Sequence, residues 1–524
     1  MKGNCLEVQP TSPNRQAIRS FLFRGGSFLA LATLIERGLL FFANTSAARI
    51  AGPENYGTYG LALQTASFMA TQAGMGIGLV ATRFSSEYPM GHAHHRDFIQ
   101  KIIHLSLILA AGSSLLMLAL AWPMAHWFYQ KPMFFRVLIV GIISTPAFVL
   151  LDAIRGMMLG LSYHRGIAFL SLFFGLGMLV LMPWAAGRSA RWMILTHAIC
   201  ALTACGAIFL ILRQKFELTV LRRPTHHVPL RPMLRFGLFQ LGSTTAMNLC
   251  MMALMAMLVR FATKEELLIT SLLPLGLLFQ HGVAWMMNMG LSVFPLFGFH
   301  EVGYYNAANS VRNVTSIVPG LLNQTTIGLM TKLKGEEFGG VNRILLINTW
   351  LTAMFMIPTT VALLLLLPFL IPLLFGYDFT EAVTPAGLLL AVALVHMVSQ
   401  AAVNRLTVVS PRTVMVIILI WIVITLLGGW FLIPAYGATG VAIALVISHT
   451  ASALMVLAGL SLHECMPQQL PLLTLLSIAV AGLYLAILNT SIPLWHWQRC
   501  LPLLLVGCLL AYLGSLFQLI RKDQ

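Results

Sequence analysis

The chain has 524 residues, of which 58% are hydrophobic and 9% charged, with a mean hydropathy of +0.85. That is too little charge to coat a soluble body of this size. Apolar runs of about 20 residues recur from end to end, as bilayer-spanning helices require, whereas an outer-membrane barrel would show short alternating segments. The 32 Lys and Arg residues outnumber the 16 acids. In a polytopic membrane protein that surplus belongs to loops held on the cytoplasmic side, and some of it to a path for an anionic cargo, rather than to nucleic acid.

In chain order, residues 1–21 are polar, carry Arg15 and Arg19, and read as a cytoplasmic tail rather than a cleaved leader. Apolar spans follow at 22–48, 56–83, 98–122, 133–160, 166–183 and 190–212. Together they define a first lobe over 22–212. The stretch 213–235 holds Arg213, Lys215, Arg222, Arg223, Arg231 and Arg235, broken by Pro224, Pro229 and Pro232. It is the longest polar interval and the boundary between two halves. These charges fall on the same face as Arg15, Arg19, Arg83, Arg96, Lys101 and Arg165, which places that face in the cytoplasm.

The second half reads 236–260, 267–299, 304–330, 344–372, 383–404, 413–433, 438–461, 470–489 and 500–519. If every piece crosses, Lys332, Lys334, Arg343, Arg521 and Lys522 land on the wrong side. An irregular or re-entrant segment before His300 restores them, although Lys264-Glu265-Glu266 has the look of a loop. The expected fold is therefore an all-α polytopic membrane protein with about 14 transmembrane helices. Two pseudo-symmetric six-helix lobes, the second over 236–461, precede two C-terminal helices and a short basic tail over 462–524, and both termini are cytoplasmic.

One short pattern occurs twice. Gly57-Thr58-Tyr59-Gly60-Leu61-Ala62 shares its G-x-Y-x-x-A spacing with Gly303-Tyr304-Tyr305-Asn306-Ala307-Ala308. Glycine permits tight turns and proline stops an incoming helix, so Gly52–Gly57 predicts an outer turn between spans one and two. Gly303–Tyr305 predicts the equivalent turn in the second half. The duplication points to two related bundles around one central path.

Several stretches taken in order resemble a known family. They are "GPENYGTYGLA" with "GLVATRFSSEY" (78–88), "RGMMLGLSYHRGIAF" (155–169), "LRFGLFQLGST" (234–244), "VGYYNAANSV" (302–311), "LLFGYDFTEAVTPAGLLL" (373–390) and "YGATGVAIALVIS" (436–448). Over roughly residues 20 to 460 the chain resembles bacterial polysaccharide exporters of the Wzx type, the O-antigen flippases. Their superfamily also holds multidrug-and-toxin extruders and the lipid II flippase. The resemblance implies a V-shaped, two-lobed transporter of the bacterial inner membrane, a monomer without enzymatic activity. Its cargo would be an undecaprenyl-pyrophosphate-linked oligosaccharide used for surface polysaccharide such as lipopolysaccharide or exopolysaccharide. A polysaccharide polymerase and a chain-length regulator would be its partners, beside membrane lipids. An H+ or Na+ gradient, with no cofactor, would drive alternating access. The absence of a G-x-x-x-x-G-K-[ST] phosphate loop agrees with a gradient rather than ATP.

Pyrophosphate and sugars need a wet cationic path, and arginine's planar fork suits phosphate. The candidates are arginines in or beside apolar runs. Arg24 lines a cavity or anchors the inner edge. Arg83 gates the path or pairs with Glu87, four positions on. Glu36-Arg37 lies midway through span one, where charge is costly unless paired or wet. Asp152 and Arg155, three apart, predict a structural or gating bridge. Arg260, Arg312 and Arg405 extend the path or snorkel to headgroups. Asn306, Asn309 and Asn313 share one helix face and either meet sugar hydroxyls or hold another helix.

His92, His94 and His95 cluster without the carboxylate pattern of a metal site. His281 and His396 sit in apolar runs and either pack or sense protons. The seven cysteines lack ligand spacing, and Cys200 and Cys205 read as packing residues. A membrane glycosyltransferase or polymerase would need a larger polar domain and a catalytic grouping. A multidrug exporter would need buried carboxylates for cations. A lipid II flippase is a nearer alternative.

Overall fold

The computed structural model describes residues 27–87, 95–161, 163–216, 230–261, 298–323, 338–463, 467 and 470–488. Regular structure among the described residues is entirely helical. The chain is a multi-pass membrane protein: seven of these helices are long and apolar enough to cross a bilayer.

The first lobe begins with α1, Ser27–Gly74, which folds back on itself at Gly52-Pro53. Gly52 takes φ 73°, open to glycine, and Pro53 supplies no N–H to the turn before it. Two arms result, joined at the expected turn. After a break at Met75-Gly76, both with positive φ, the second arm continues as α2, Ile77–Glu87. Then come α3 (His95–Pro123), α4 (Phe135–Gly160), α5 (His164–Ala186) and α6 (Ala190–Phe216). A π turn at Met124–Phe128 and a 3-10 turn at Pro132–Phe134 connect α3 to α4. Gly156 and Gly160, a G-x-x-x-G pair, bring α4 onto the α2 backbone at Gly78 and Thr82. Small residues at such spacing let membrane helices approach to backbone distance, where dispersion replaces the hydrophobic effect as the source of cohesion.

The second lobe holds α7 (Leu230–Arg260), α8 (Phe299–Thr315), α9 (Phe338–Phe375), α10 (Val383–Val409) and α11 (Pro411–Leu462), with α12 (Leu470–Leu488) packed on α10. Residues 317–323 continue helically beyond α8. A 3-10 turn at Tyr377–Ala382 joins α9 to α10. α11 folds back at Gly437, φ 55°. Its second arm starts at Ala438, whose free N–H donates to the Glu301 carboxylate at 2.7 Å. An acid at a helix N-terminus satisfies an orphan donor and the helix dipole together. The most apolar window of α10 and its 3-10 turn is 78% buried, against 50% or less for the other spanning helices. α10 is thus the central post of this lobe.

The turns at Gly52, Pro132, Gly376 and Gly437 all lie at one end of the molecule, the tip, and the opposite end is the base. One expectation is corrected. Gly303-Tyr304-Tyr305 is not a turn but lies inside α8, which starts at Phe299. Span 500–519 and the stretch before His300, residues 262–297, lie outside the described residues.

Candidate functional site: a glycine crossing between two lobes

At the tip the second arm of α1 crosses α8. A Cβ on Gly57 would strike the Phe299 carbonyl oxygen and the Gly303 nitrogen, and a Cβ on Gly303 would strike the Pro53 carbonyl. The two lobes meet backbone to backbone. One turn further along, Gly60 lies against the Asn306 amide, whose nitrogen is buried with no partner among the described residues. The Tyr56 hydroxyl and Ser310 Oγ approach to 3.5 Å. Rings pack around this point: Phe379 meets Tyr56 with centroids 6.0 Å apart, Tyr304 at 6.2 Å and Phe375 at 5.8 Å.

Polar clasps complete the seal. Arg49 Nη1 donates to the Leu373 carbonyl at 3.2 Å, and Arg260 Nε donates to the Phe128 carbonyl at 2.7 Å, with its Nη2 on the Trp127 carbonyl. His300 Nε2 stands 3.8 Å from Glu54 Oε2.

Toward the base the same helix faces carry polar side chains that are exposed or half-buried. Phe41 on the first arm of α1 touches Phe375 of the second lobe, with ring centroids 6.4 Å apart. Arg37 lies one turn below it on the same face and is exposed. On α8, Asn313 lies seven residues after Asn306, also on one face, and is exposed. On the second arm, Gln64, Ser67 and Thr71 continue the line of Gly57 and Gly60. Thr245 Oγ1 donates to Gln72 Oε1 at 2.9 Å and joins α7 to this arm.

Carboxylates in the membrane helices point elsewhere. Glu36, 6% exposed, pairs with Arg155 Nη2 and accepts from Ser171 Oγ at 2.6 Å, inside the first lobe. Asp152 accepts from the Gly78 N–H at 3.1 Å, at the start of α2. Two expectations are corrected here. Arg155 bridges to Glu36 rather than to Asp152, because their helices pack face to face. Glu36 is held inside the first lobe rather than standing open, while its neighbour Arg37, about 100° around the helix, is exposed.

The other candidates separate. Arg260 is a tip clasp, not a path residue. Arg405 is 5% exposed and buried inside the second lobe. Beside it Asn404 Nδ2 donates to the Asn323 carbonyl at 3.3 Å, and Asn348 Nδ2 donates to Asn323 Oδ1 at 2.7 Å. These amides act as glue between helices. Arg83 is exposed near the base, its guanidinium 5.4 Å from the Phe84 ring centre. Arg312 is half-buried and donates to Asn309 Oδ1 at 3.3 Å. Arg24, His92, His94 and His281 lie outside the described residues, as does the Glu87 side chain. Cys200 and Cys205 are buried in packing. Among the described residues no cluster of three or more His, Cys, Asp or Glu could hold a metal ion. The polar face of Gln64, Ser67 and Thr71 went unnoticed in the sequence; its three- and four-residue spacing was the available signal.

Two groups of long helices that meet backbone to backbone at the tip make up a fold that solved structures share. "Lipid II flippase MurJ, inward closed conformation" is 14% identical with a TM-score of 0.59, over 94% of this chain and 99% of that one. An inward-facing multidrug resistance MATE family transporter of the MOP superfamily is 15% identical, with a TM-score of 0.56, over 83% and 95%. A MATE in complex with MaD5 is 15% identical, with a TM-score of 0.54, over 87% and 98%. At these identities the likeness is one of fold. No curated protein matches the sequence. The family model described as "Polysaccharide biosynthesis protein" matches residues 22–334, more than half of the chain, and the chain belongs to that family.

Proposed function

We propose that this protein flips a polyprenyl-pyrophosphate-linked oligosaccharide repeat unit across the bacterial inner membrane for surface polysaccharide synthesis. It works as a transporter, not as an enzyme. The tip faces the periplasm and the base, with its basic loops, the cytoplasm. The pyrophosphate enters the cleft from the base, meets Arg37 and the α8 edge at Arg312 and Asn313, and leaves when the seal parts. Its prenyl tail stays in lipid. An H+ or Na+ gradient biases the alternation, and the polymerase that extends the glycan takes up the product.

The observation that carries this reading is the sorting of charge. Glu36, Asp152 and Glu301 are each engaged within a lobe, while Arg37 is exposed, one turn from the contact of Phe41 with Phe375 of the other lobe. A cleft with exposed guanidinium and amide groups suits phosphate and sugar. A multidrug exporter for organic cations would need the reverse.

The test uses the purified full chain in sealed vesicles. Wild type moves a fluorescent polyprenyl-pyrophosphate oligosaccharide between leaflets when an H+ or Na+ gradient is applied, and Arg37→Ala slows it. Failure to move such lipids, together with efflux of organic cations, would establish the drug-exporter alternative.

A further inference from the structure

α5 and α6 are both long and apolar enough to cross the bilayer, over His164–Ala186 and Ala190–Gln214, and only Gly187, Arg188 and Ser189 join them. A link this short stays at the membrane surface, so Arg188 stands at headgroup depth at the tip. The backbone fixes the turn. The N–H of Gly187 donates to the Pro183 carbonyl at 3.2 Å, and those of Arg188 and Ser189 donate to the Ala185 carbonyl at 3.1 and 3.3 Å.

Two tryptophans frame Arg188. Trp184 lies in the last turn of α5 and Trp192 in the first turn of α6, 53% and 40% exposed. Their ring centres are 5.7 Å apart and their planes 77° apart, so the indoles form a corner. The guanidinium carbon of Arg188 lies over Trp184, 3.9 Å from the ring centre, and 5.1 Å from that of Trp192. Stacking on an indole holds the cation without consuming its N–H donors, of which arginine has five. Among the described residues no side chain or carbonyl accepts from them. Other arginines at the tip are spent on the protein itself: Arg49 donates to the Leu373 carbonyl and Arg260 to the Phe128 carbonyl. The stretch 183–193, "PWAAGRSARWM", holds two arginines and no acid, and Arg191 is exposed as well.

We propose that the corner formed by Trp184, Arg188 and Trp192 binds the phosphate of an anionic phospholipid, phosphatidylglycerol, in the leaflet at the tip. Depth selects a lipid, because headgroup phosphates lie where this turn lies, and the acyl chains below them cover the exposed indole flanks. The planar fork of Arg188 pairs with two phosphate oxygens. A zwitterionic headgroup offers the same phosphate together with an ammonium that Arg188 and Arg191 repel, and phosphatidylglycerol has no such group. This lipid site stands or falls independently of the transport reading.

The test uses the purified full chain in detergent and phosphatidylglycerol carrying a photoactivatable diazirine on its headgroup. Irradiation is followed by mass spectrometry of the labelled peptides. Label is expected within residues 183–193. Unlabelled phosphatidylglycerol should compete at least about tenfold more strongly than phosphatidylcholine, and soluble glycerophosphate at the same concentration should not compete. Arg188→Gln should lower this label about tenfold, the scale of one lost charge-assisted bond, and Arg188→Lys should keep part of it. Trp184→Leu should lower it too, because the guanidinium loses its stacking partner. Label at other peptides should stay at the wild-type level in all three variants, which separates loss of the site from loss of the fold. Equal competition by phosphatidylcholine, or label at 183–193 unaltered in Arg188→Gln, overturns the proposal and leaves Arg188 an interfacial anchor. Competition by glycerophosphate overturns the lipid as occupant. If Arg188→Gln does not fold, Arg188→Lys and Trp184→Leu carry the same comparison.

Discussion

Gly57 is held against the carbonyl one turn before Gly303, and Gly303 against the carbonyl one turn before Gly57. The contact is reciprocal, as at a two-fold axis. The repeated G-x-Y-x-x-A pattern therefore marks a helix crossing between lobes, where only hydrogen fits. The fold-back at Gly52-Pro53 merely delivers the first partner to it. Because the seal is backbone on backbone, it can be weakened by single methyl groups.

Gly57→Ala and Gly303→Ala should each force the tip apart. Overpacking of this kind costs about 1–3 kcal/mol, a shift of roughly five- to 150-fold toward the open tip. A Glu54→Cys/His300→Cys pair, placed where the side chains now stand 3.8 Å apart, reads the closed state by disulfide yield. The yield should fall in either glycine variant. Gly38→Ala, with nothing within 4 Å of the added Cβ, is the control that should leave it unchanged.

Arg37→Ala should lower lipid-oligosaccharide flipping about tenfold or more, the scale of one lost charge-assisted bond. Arg37→Lys should recover part of it, because a point charge lacks the planar fork. Both should keep wild-type thermal stability, since Arg37 is exposed. A drop in melting temperature matching the loss of transport would mean that Arg37 packs instead of binding.

Arg155→Ala leaves Glu36 buried with only Ser171 as hydrogen-bond partner. The expected loss is about 1–3 kcal/mol, below the full cost of a broken buried pair because Arg155 keeps 35% exposure. Glu36→Gln added to Arg155→Ala should restore part of that stability. Thermal unfolding of the single and double variants measures the coupling, and additive losses would argue against a direct pair.

Arg260→Ala removes the donors that hold the carbonyls of Trp127 and Phe128. About 1–3 kcal/mol of local stability should go with them. Hydrogen exchange at the amides of Tyr129 and Lys131, which bond to Met124 and Ala125, should accelerate, while exchange at the base stays as it was. Unaltered exchange at the tip would remove Arg260 from the seal.

Much of the architecture was legible because bilayer helices declare themselves locally. Long apolar runs and the Gly52-Pro53 break need no knowledge of neighbours. The charged residues were not legible in that way. Glu36 and Arg37 stand side by side in the chain, yet one is buried against Arg155 and the other is exposed. Arg155 and Asp152 sit three apart on one helix, yet their partners come from different helices. Gly303 carried the signature of a turn and serves as a contact. Asn323, within the same polar run as Asn313, bonds Asn348 and Asn404 inside the lobe, while Asn313 is exposed.

The sequence by itself determined that this is a helical multi-pass membrane protein. Hydropathy and charge bias act through solvent and lipid, which every residue meets independently of its partners. Only the tertiary structure decided which cations stay exposed, as Arg37 does, and which are held within a lobe, as Arg405 is. In a low-dielectric interior a charge takes its role from the group that faces it, and that group lies on another helix.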